Sequence, residues 1–519
     1  MRNNNYTLTK TKITSGLQCH KKLWFDVHQK IKIKKSVFNS GNRFGEVVRN
    51  NYKSGYGKFK DFSPYFAFDY VANWTKEAIK SNKINVIFEG AFIYLNTLVL
   101  TDVLIRKKNG WELLEAKSSS ELKPQHIEDT SIQSFVVKKC MKELGTNLVS
   151  VKLIHINKDF IYKGDENYKD LINDNTDITS EVFEKEKEVP NYIEDLIPLA
   201  SENSPCPNIE MGDHCKNPYP CDYQDRCKSL LPKSNITSYR ILPNPPRNKE
   251  FKKYCKDKGY KDLDLRKVPD KFLNEKSYKH KTIQNCHKTN KPWINKDLKN
   301  VFKDLSWPFY FMDFEFVFQG VPIIKGTKPN ERLPFQWSVH KWESIDKEMK
   351  SSDHEFFLDF KDQNIERKFI ENLLKAVGKQ GTIFAHNAKG TEISILNQLK
   401  EKDNCKDLTD EIEKLISRIK DTLNIVKENF YSPLMNGSYK IKKIINVVPS
   451  SVSYDEKDNI EGGQEASLAW FICTDPTTDK NKEEQKKQKK LLMDYCSKDT
   501  LAVYHLVKYL MEKTKDKKN

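Results

Sequence analysis

Three groups of residues in this sequence have the types and spacing to do chemistry. The first is a set of acids with a lysine: Asp102, then Glu115 and Lys117 two residues apart, with Glu89 upstream. Residues two apart on a strand project to one face, so Glu115 and Lys117 would share it. Carboxylates there can hold Mg²⁺ or Mn²⁺, which take oxygen ligands. A lysine beside the ion can orient or activate an attacking water. An exposed charged face on an edge sheet would read the same way, because E-x-K is common. The second group is thiols. Cys19 stands alone near the start, Cys215, Cys221 and Cys227 follow as C-x₅-C-x₅-C, and Cys206 lies nearby. Thiolates suit an iron–sulfur cluster; zinc is the rival, although its sites more often show C-x₂₋₄-C pairs. Unliganded thiols are the third reading, disfavoured by a Pro-rich stretch without apolar core. Cys140, Cys255, Cys286, Cys405, Cys473 and Cys496 read as ordinary residues. The third group is Asp313 and Glu315 in an otherwise apolar run, with Tyr495 and Asp499 one helical turn apart far downstream and Glu392 between. Burying unpaired carboxylates is expensive, and a shared pair of divalent ions would remove the cost.

These groups need elements to hold them. Residues 84–118 alternate apolar and polar, with breaks at Asn96 and at Asn109-Gly110, which predicts a three-strand meander carrying Glu89, Asp102, Glu115 and Lys117. A helix-period stretch at 124–142 and a β-branched strand at 150–156 follow. Residues 204–228 are too irregular for a regular element. The segment 229–303, basic and opening on LPNPP, reads as a linker with short helices. Beyond it, WPFYFMDFEFVF is an apolar strand, with strand-like runs at 334–342 and 354–360. A helix at 364–378, a buried strand GTIFAH at 381–386, and helices at 392–400, 407–430 and 488–512 complete the reading. The tract DKNKEEQKKQKK at 479–490 is a solvated helix start or a loop. The expected organisation is thus 1–235, a linker 236–303, and 304–519.

On these residues the chain resembles two nuclease families. The D…E-A-K set on a meander, followed by a helix carrying Gln133, is similar to the PD-(D/E)XK nucleases. It is closest in pattern to their RecB-like branch, as is the opening SGLQCHKKLWF. That branch has Q-x-x-x-Y, which would put Tyr at 137, where this chain has Val137. Members that carry a 4Fe–4S cluster use one N-terminal and three C-terminal cysteines, so the resemblance implies Cys19, Cys215, Cys221 and Cys227 as ligands that tie the ends of the domain together. The D-x-E strand, AHNAKGTEISIL and the Y-x-x-x-D helix resemble the DnaQ-like 3′–5′ exonucleases whose last motif carries Tyr. By position this makes Asp313, Glu315 and Asp499 ligands of two metals and Tyr495 the residue that orients water. The second-motif acid of that family falls four residues after an Asn; here that position is Thr391 and the acid is Glu392. The whole arrangement looks like a bacterial family that couples an iron–sulfur RecB-like module to a DnaQ-like domain of unknown function. LPFQWSVHKWE, NGSYKIKKII and EGGQEA resemble that domain too. The implied fold class is α/β, restriction-endonuclease-like at the N-terminus and RNase H-like at the C-terminus. In NGSYKIKK, Lys440, Lys442 and Lys443 would line a nucleic-acid path, the bland alternative being a solvated strand.

Composition fits that picture. Net charge is +17 over 519 residues, concentrated at 1–60 (+12) and 228–300 (+13), with −8 over the remainder. Such patches suit a polyanion partner, although a Lys- and Asn-rich chain can also reflect an AT-rich genome. No run approaches the ~18 apolar residues needed to span a bilayer, and the start has no apolar signal-peptide core, so no membrane partner and a cytoplasmic location are expected. Eleven cysteines there are thiols or metal ligands before disulfides. The leading expectation is a metal-dependent nuclease acting on DNA. The alternative is a nucleic-acid-binding scaffold with partly degenerate nuclease folds, favoured by Val137 and the displaced Glu392. RNA as substrate, cleavage polarity and protein partners stay open.

Overall fold

A computed structural model describes residues 6–30, 38–230, 236–260, 262–454, 462–474 and 482–515. The chain is mixed α/β and divides into two compact units, Met1–Pro232 with Gln319–Glu331, and Lys233–Phe318 with Arg332–Asn519.

In the first unit seven strands make one mixed sheet: β1 (Leu8–Thr9), β2 (Phe59–Asp61), β3 (Val86–Tyr94), β4 (Thr97–Lys107), β5 (Gly110–Lys117), β6 (Leu148–Ile156) and β7 (Ile172–Asp177). Their order is β2-β3-β4-β5-β6-β7, and β1 lies parallel on the start of β4. The expected meander is β3–β5. Its first turn has Leu95 and Asn96 at φ 45° and 56°, as a tight two-residue hairpin requires. After the second turn, Gly110 holds φ 149°, and a Cβ there would lie 2.3 Å from the Asn147 carbonyl oxygen, so no other residue fits. Period-two patterning sends Ile87, Leu104, Leu113 and Val151 into one core and Val86, Phe88, Val103, Leu114 and Ile154 into the other.

The helices of this unit that matter here are α1 (Lys10–Gln18), α2 (His20–His28), α3 (Phe38–Lys53), α4 (Phe68–Lys80) and α5 (Pro124–Glu143). α4 and α5 close the first face of the sheet, and α3 closes the second with Phe44, Val48 and Tyr52. Strand register aligns the acids. Phe88 pairs with Val103, Gly90 with Thr101, and Val103 with Leu114. Glu89, Asp102 and Glu115 therefore stand at opposed positions across three strands; Asp102 and Glu115 share the α5 face, while Glu89, at φ 51°, leaves the regular alternation and pairs with Arg49 of α3.

In the second unit the strands are β8 (Trp293–Ile294), β9 (Phe309–Phe318), β10 (Arg332–Trp342), β11 (His354–Leu358), β12 (Thr382–Ala385), β13 (Ile419–Asp421) and β14 (Phe430–Tyr431). Five form a sheet in the order β11-β10-β9-β12-β13, antiparallel from β9 to β11 and parallel from β9 through β12 to β13. The helices that matter are α6 (Ile365–Val377), α7 (Glu392–Lys400), α8 (Thr409–Ser417), α9 (Thr422–Asn429), α10 (Gly463–Thr474) and α11 (Lys482–Lys515). Met312 and Phe314 on β9 face α6 and α7. Phe309 and Phe311 face the other way, against Val503, Tyr504 and Val507 of α11. Asp313 and Glu315 share the α11 side by the same alternation.

Two expectations are corrected. The single helix at 407–430 is two helices, α8 and α9, separated by β13, because Ile419–Asp421 adds a parallel strand to Ile383–Ala385. The Asp421 side chain then accepts from Leu423 N and starts α9. The basic segment 236–303 is no linker: Leu242, Phe251, Leu265 and Ile283 share a core with Val426 and Leu506. Its lysines are mostly solvated while sparse apolar residues on short helices point inward, a pattern that average charge conceals. Within 479–490, residues 482–490 begin α11, and 479–481 lie outside the described residues. Among the described residues no helix is long and apolar enough to cross a membrane.

Phe251 is 1% exposed in that core. Phe251→Ala is expected to lower stability by about 3–5 kcal/mol in denaturant unfolding followed by tryptophan fluorescence. A loss below about 0.5 kcal/mol, as for a solvated tether, would show that the segment is not part of the core.

Candidate functional site

In the second unit, four carboxylates from three elements converge. Asp313 and Glu315 come from β9, Asp499 from the middle of α11, and Glu392 is the first residue of α7, just past the loop that leaves β12. Glu315, Glu392 and Asp499 are 7%, 1% and 8% exposed. Ligand atoms of Asp313, Glu315 and Cys496 lie within 4.8 Å of one another. Burial pushes the carboxyls of Asp313, Glu315 and Glu392 well above the usual range. Mutual repulsion adds to it: Asp499 acts on Asp313, and Asp313, Asp499 and Glu392 act on Glu315. Asp499 is raised by burial as well. One oxygen of Glu392, Oε2, is buried without any hydrogen-bond partner.

Around these acids stand groups that orient them. Tyr454 Oη donates to Asp499 Oδ1 at 2.5 Å. Cys496 Sγ donates to Asp313 Oδ2 at 3.5 Å. Tyr495, one turn before Asp499, is held neutral, its phenol raised by burial and by the surrounding acids. Lys442 places its ammonium 4.8 Å from the Tyr454 ring and 4.6 Å from the Tyr495 ring. Gly463, at the start of α10, brings its backbone so close that a Cβ would sit 4.0 Å from Glu315 Oε2. An open cleft of about 590 Å³ leads in, lined by His386, Lys427, Lys440, Lys442, Tyr495 and Asp499 among others. Lys443 is exposed and does not line it. Of EGGQEA, Glu461 lies outside the described residues.

In the first unit the row Glu89, Asp102, Glu115 meets cations. Lys117 Nζ and Lys10 Nζ each donate to Glu115 Oε1 at 2.8 Å. Both also bond Asp129, Lys10 at 3.3 Å. Gln133 accepts from Lys10 at 3.4 Å and donates to the Leu100 carbonyl. Glu89 pairs with Arg49 at 2.9 Å. Although burial pushes it up, the Glu115 carboxyl is held below its usual range by Lys10 and Lys117. Asp129, likewise desolvated, is lowered to about 2 by the same two ammoniums. Glu115 Oε2, on the other side of the carboxylate, is buried and has no partner. Val137, at the position of the family tyrosine, is 0% exposed in the core.

The third group also comes together. Cys19, at the break between α1 and α2, and Cys215, Cys221 and Cys227 all line one small cavity with Phe25 and Tyr223. Cys221 N donates to Cys215 O at 2.9 Å, which folds that loop on itself. Cys206 is exposed and lies outside the cavity. Among the described residues the trio of ligand atoms within 4.8 Å of one another is Asp313, Glu315 and Cys496, so no three of the four thiols are that close together.

The acids, the lysine, the glutamine, the tyrosine and the four ligand cysteines singled out from the sequence thus fall in one of three sites, while Lys443, Cys206 and Val137 do not. The sequence reading missed Lys10, Asp129 and Arg49 in the first unit and Cys496 and Tyr454 in the second. Asp129 had a signal, since it lies one helical turn before Gln133 on the same face. Lys10 had none, because its place depends on β1 docking beside β4.

The first-unit site makes a testable demand on pH. Burial, then Glu115 and Glu89, push the Asp102 carboxyl up to about 8, against about 3.9 for an unfolded chain. Between about pH 4 and pH 8 the folded chain therefore holds a proton that the unfolded chain has shed, and stability falls as pH rises through that window. Asp102→Asn is expected to flatten the fall when unfolding is measured at several pH values in EDTA. A slope unchanged by the substitution would show that Asp102 does not titrate there.

Residues 310–440 match a family described as a domain of unknown function (DUF2779). No curated protein matches this chain.

Proposed function

We propose that this protein is a divalent-metal-dependent nuclease acting on DNA, with a restriction-endonuclease-like site in its first unit and an RNase H-like, 3′–5′ exonuclease-type site in its second. The observation that carries the reading is the convergence of Asp313, Glu315, Glu392 and Asp499. Four acids that repel one another, three of them buried and one with an orphaned oxygen, have the donor set that Mg²⁺ or Mn²⁺ takes. When bound there, a metal pair would supply Lewis-acid activation of the phosphate and of the attacking water. The chain's own residues do the rest. Asp313, Glu315, Glu392 and Asp499 would hold the ions, the longer Glu392 side chain making up for its one-residue displacement. The Tyr495 phenol orients water beside Asp499, and Tyr454 fixes the Asp499 carboxylate through its hydrogen bond. Lys440 and Lys442 line the cleft where phosphates would lie.

In the first unit Asp102, Glu115 and Glu89 would hold an ion, with Glu115 Oε2 offering the open lone pairs. Lys117 and Gln133 orient water and substrate. One observation favours the scaffold reading for this unit: Lys10 already neutralises Glu115 from the side opposite its free oxygen. The thiol site fits an iron–sulfur cluster better than zinc. Four sulfurs 2.3 Å from one zinc would stand ~3.8 Å apart, whereas no three of the four thiols lie within 4.8 Å of one another.

Wild-type protein is expected to trim 5′-labelled single-stranded DNA in Mg²⁺ or Mn²⁺ and not in EDTA. Asp313→Asn should abolish the trimming, and Tyr495→Phe should slow it by roughly 10–10³-fold while keeping metal affinity. Lys117→Ala, made in the Asp313→Asn background, should remove any residual cleavage. DNA left intact by the wild-type chain with either metal would overturn the reading. Protein purified without oxygen is expected to be brown with about four irons per chain, and Cys215→Ala should lose both colour and stability. One zinc per chain and no iron would assign the site to zinc.

A further inference from the structure

The first unit carries an aromatic surface that neither site uses. Tyr65, Phe66 and Tyr70 are 49%, 83% and 65% exposed, and Trp74 is 39% exposed. Isolated exposed rings are ordinary, but these are grouped. The Trp74 indole has the Tyr65 ring at 5.2 Å, edge to face, the Tyr70 ring at 6.4 Å, and Phe62 stacked beneath at 6.4 Å. Tyr65 and Trp74 form the wall of a groove of about 590 Å³ that Lys58, Lys60 and Lys83 line together with Asp61 and Glu77, and Tyr70 flanks it beside Trp74. Rings presented beside ammoniums are the chemistry that binds unpaired bases and their phosphates.

The scaffold under this surface is stiff. Arg106 reaches from β4 to the carbonyls of Ile79, Ser81 and Ile84 and stacks 4.2 Å from the Trp111 ring, so the end of α4 is tied to the sheet. The Thr75 hydroxyl, next to Trp74, accepts from Ala91 N at 3.1 Å, two residues past Glu89. Asp61, in the groove wall, lies near enough to Glu89 to raise its carboxyl, behind burial and Glu115.

The geometry points to a single-strand platform: the groove between β2 and α4 binds single-stranded DNA, with bases stacked on Tyr65, Tyr70 and Trp74 and phosphates on Lys58, Lys60 and Lys83. The choice of DNA rests on the nuclease reading above; the stacking and the charge do not. A duplex does not fit this chemistry, because its bases present no free faces to a ring.

The test is binding of a labelled oligothymidylate of about 20 nucleotides by fluorescence anisotropy, in EDTA, so that cleavage takes no part in the readout. The Tyr65→Ala/Tyr70→Ala double variant is expected to bind at least about tenfold more weakly, since each stacked base is worth roughly 5- to 100-fold. Tyr65→Phe/Tyr70→Phe should bind as wild type does. Intrinsic fluorescence should be quenched by the oligonucleotide in the wild type and much less in Trp74→Phe. Lys58→Ala/Lys83→Ala should reduce the slope of log affinity against log salt by about 1.4. Both tyrosines are exposed, and circular dichroism of the alanine variant checks that it folds. Alanine-variant affinity within twofold of wild type overturns the platform, whatever the cleavage assays show. So does duplex DNA competing as well as the single strand. Loss of binding in the alanine variant upholds the platform even if the chain cuts nothing.

Discussion

Like charges held together out of water are the constraint on which both units turn. Each packs several carboxylates where solvent cannot screen them, and each must supply either protons or cations. The first unit supplies cations from its own chain: Lys10 and Lys117 on Glu115 and Asp129, and Arg49 on Glu89. Asp102, lacking such a partner, keeps its proton to about pH 8 and accepts from Ala116 N at 2.6 Å. The second unit leaves its acids in each other's field, with Lys442 the cation that acts on both Asp313 and Glu315. The acids of the second unit are accordingly less compensated by the chain's own cations.

The scaffolds serve this constraint in different ways. In the first unit, antiparallel register alone sets Glu89, Asp102 and Glu115 side by side, and parallel pairing of β1 on β4 delivers Lys10 to the same spot. In the second, the acids come from separate elements: two from one strand, one from a helix start, one from mid-helix. The apolar residues that alternate with Asp313 and Glu315 anchor β9 on both faces, so these side chains cannot turn away from α11. The Cys19 site has a third logic, in which a break between two helices meets a loop nearly 200 residues later.

Much of this was legible in the sequence, and the failures have physical causes. Alternation and turn residues located β3–β5, and with them the row of acids, because a two-residue turn leaves no freedom of register. D-x-E and Y-x-x-x-D each fix a face of one element; that the two faces meet is an expectation from the family resemblance, because period says nothing about which elements pack together. Lys10 could not, since nothing local says that a two-residue strand will dock on β4. The packed segment 236–303 is hidden by its charge: a basic stretch that opens on LPNPP reads as a linker, while Phe251, Leu265 and Ile283 are too scattered to show a period. β13 was lost inside a helical pattern because three residues of strand give too little alternation to compete with it. Cys496 looked ordinary because its neighbours Asp313 and Glu315 are 180 residues away.

The most direct test of the central claim is anomalous scattering from crystals of the wild-type chain soaked in Mn²⁺. Two peaks ~3.5–4 Å apart, within coordinating distance of Asp313, Glu315, Glu392 and Asp499, are the predicted result. Saturating Mn²⁺ with no anomalous density among those four carboxylates would contradict the account, and would mean that the acids are kept together by protons alone.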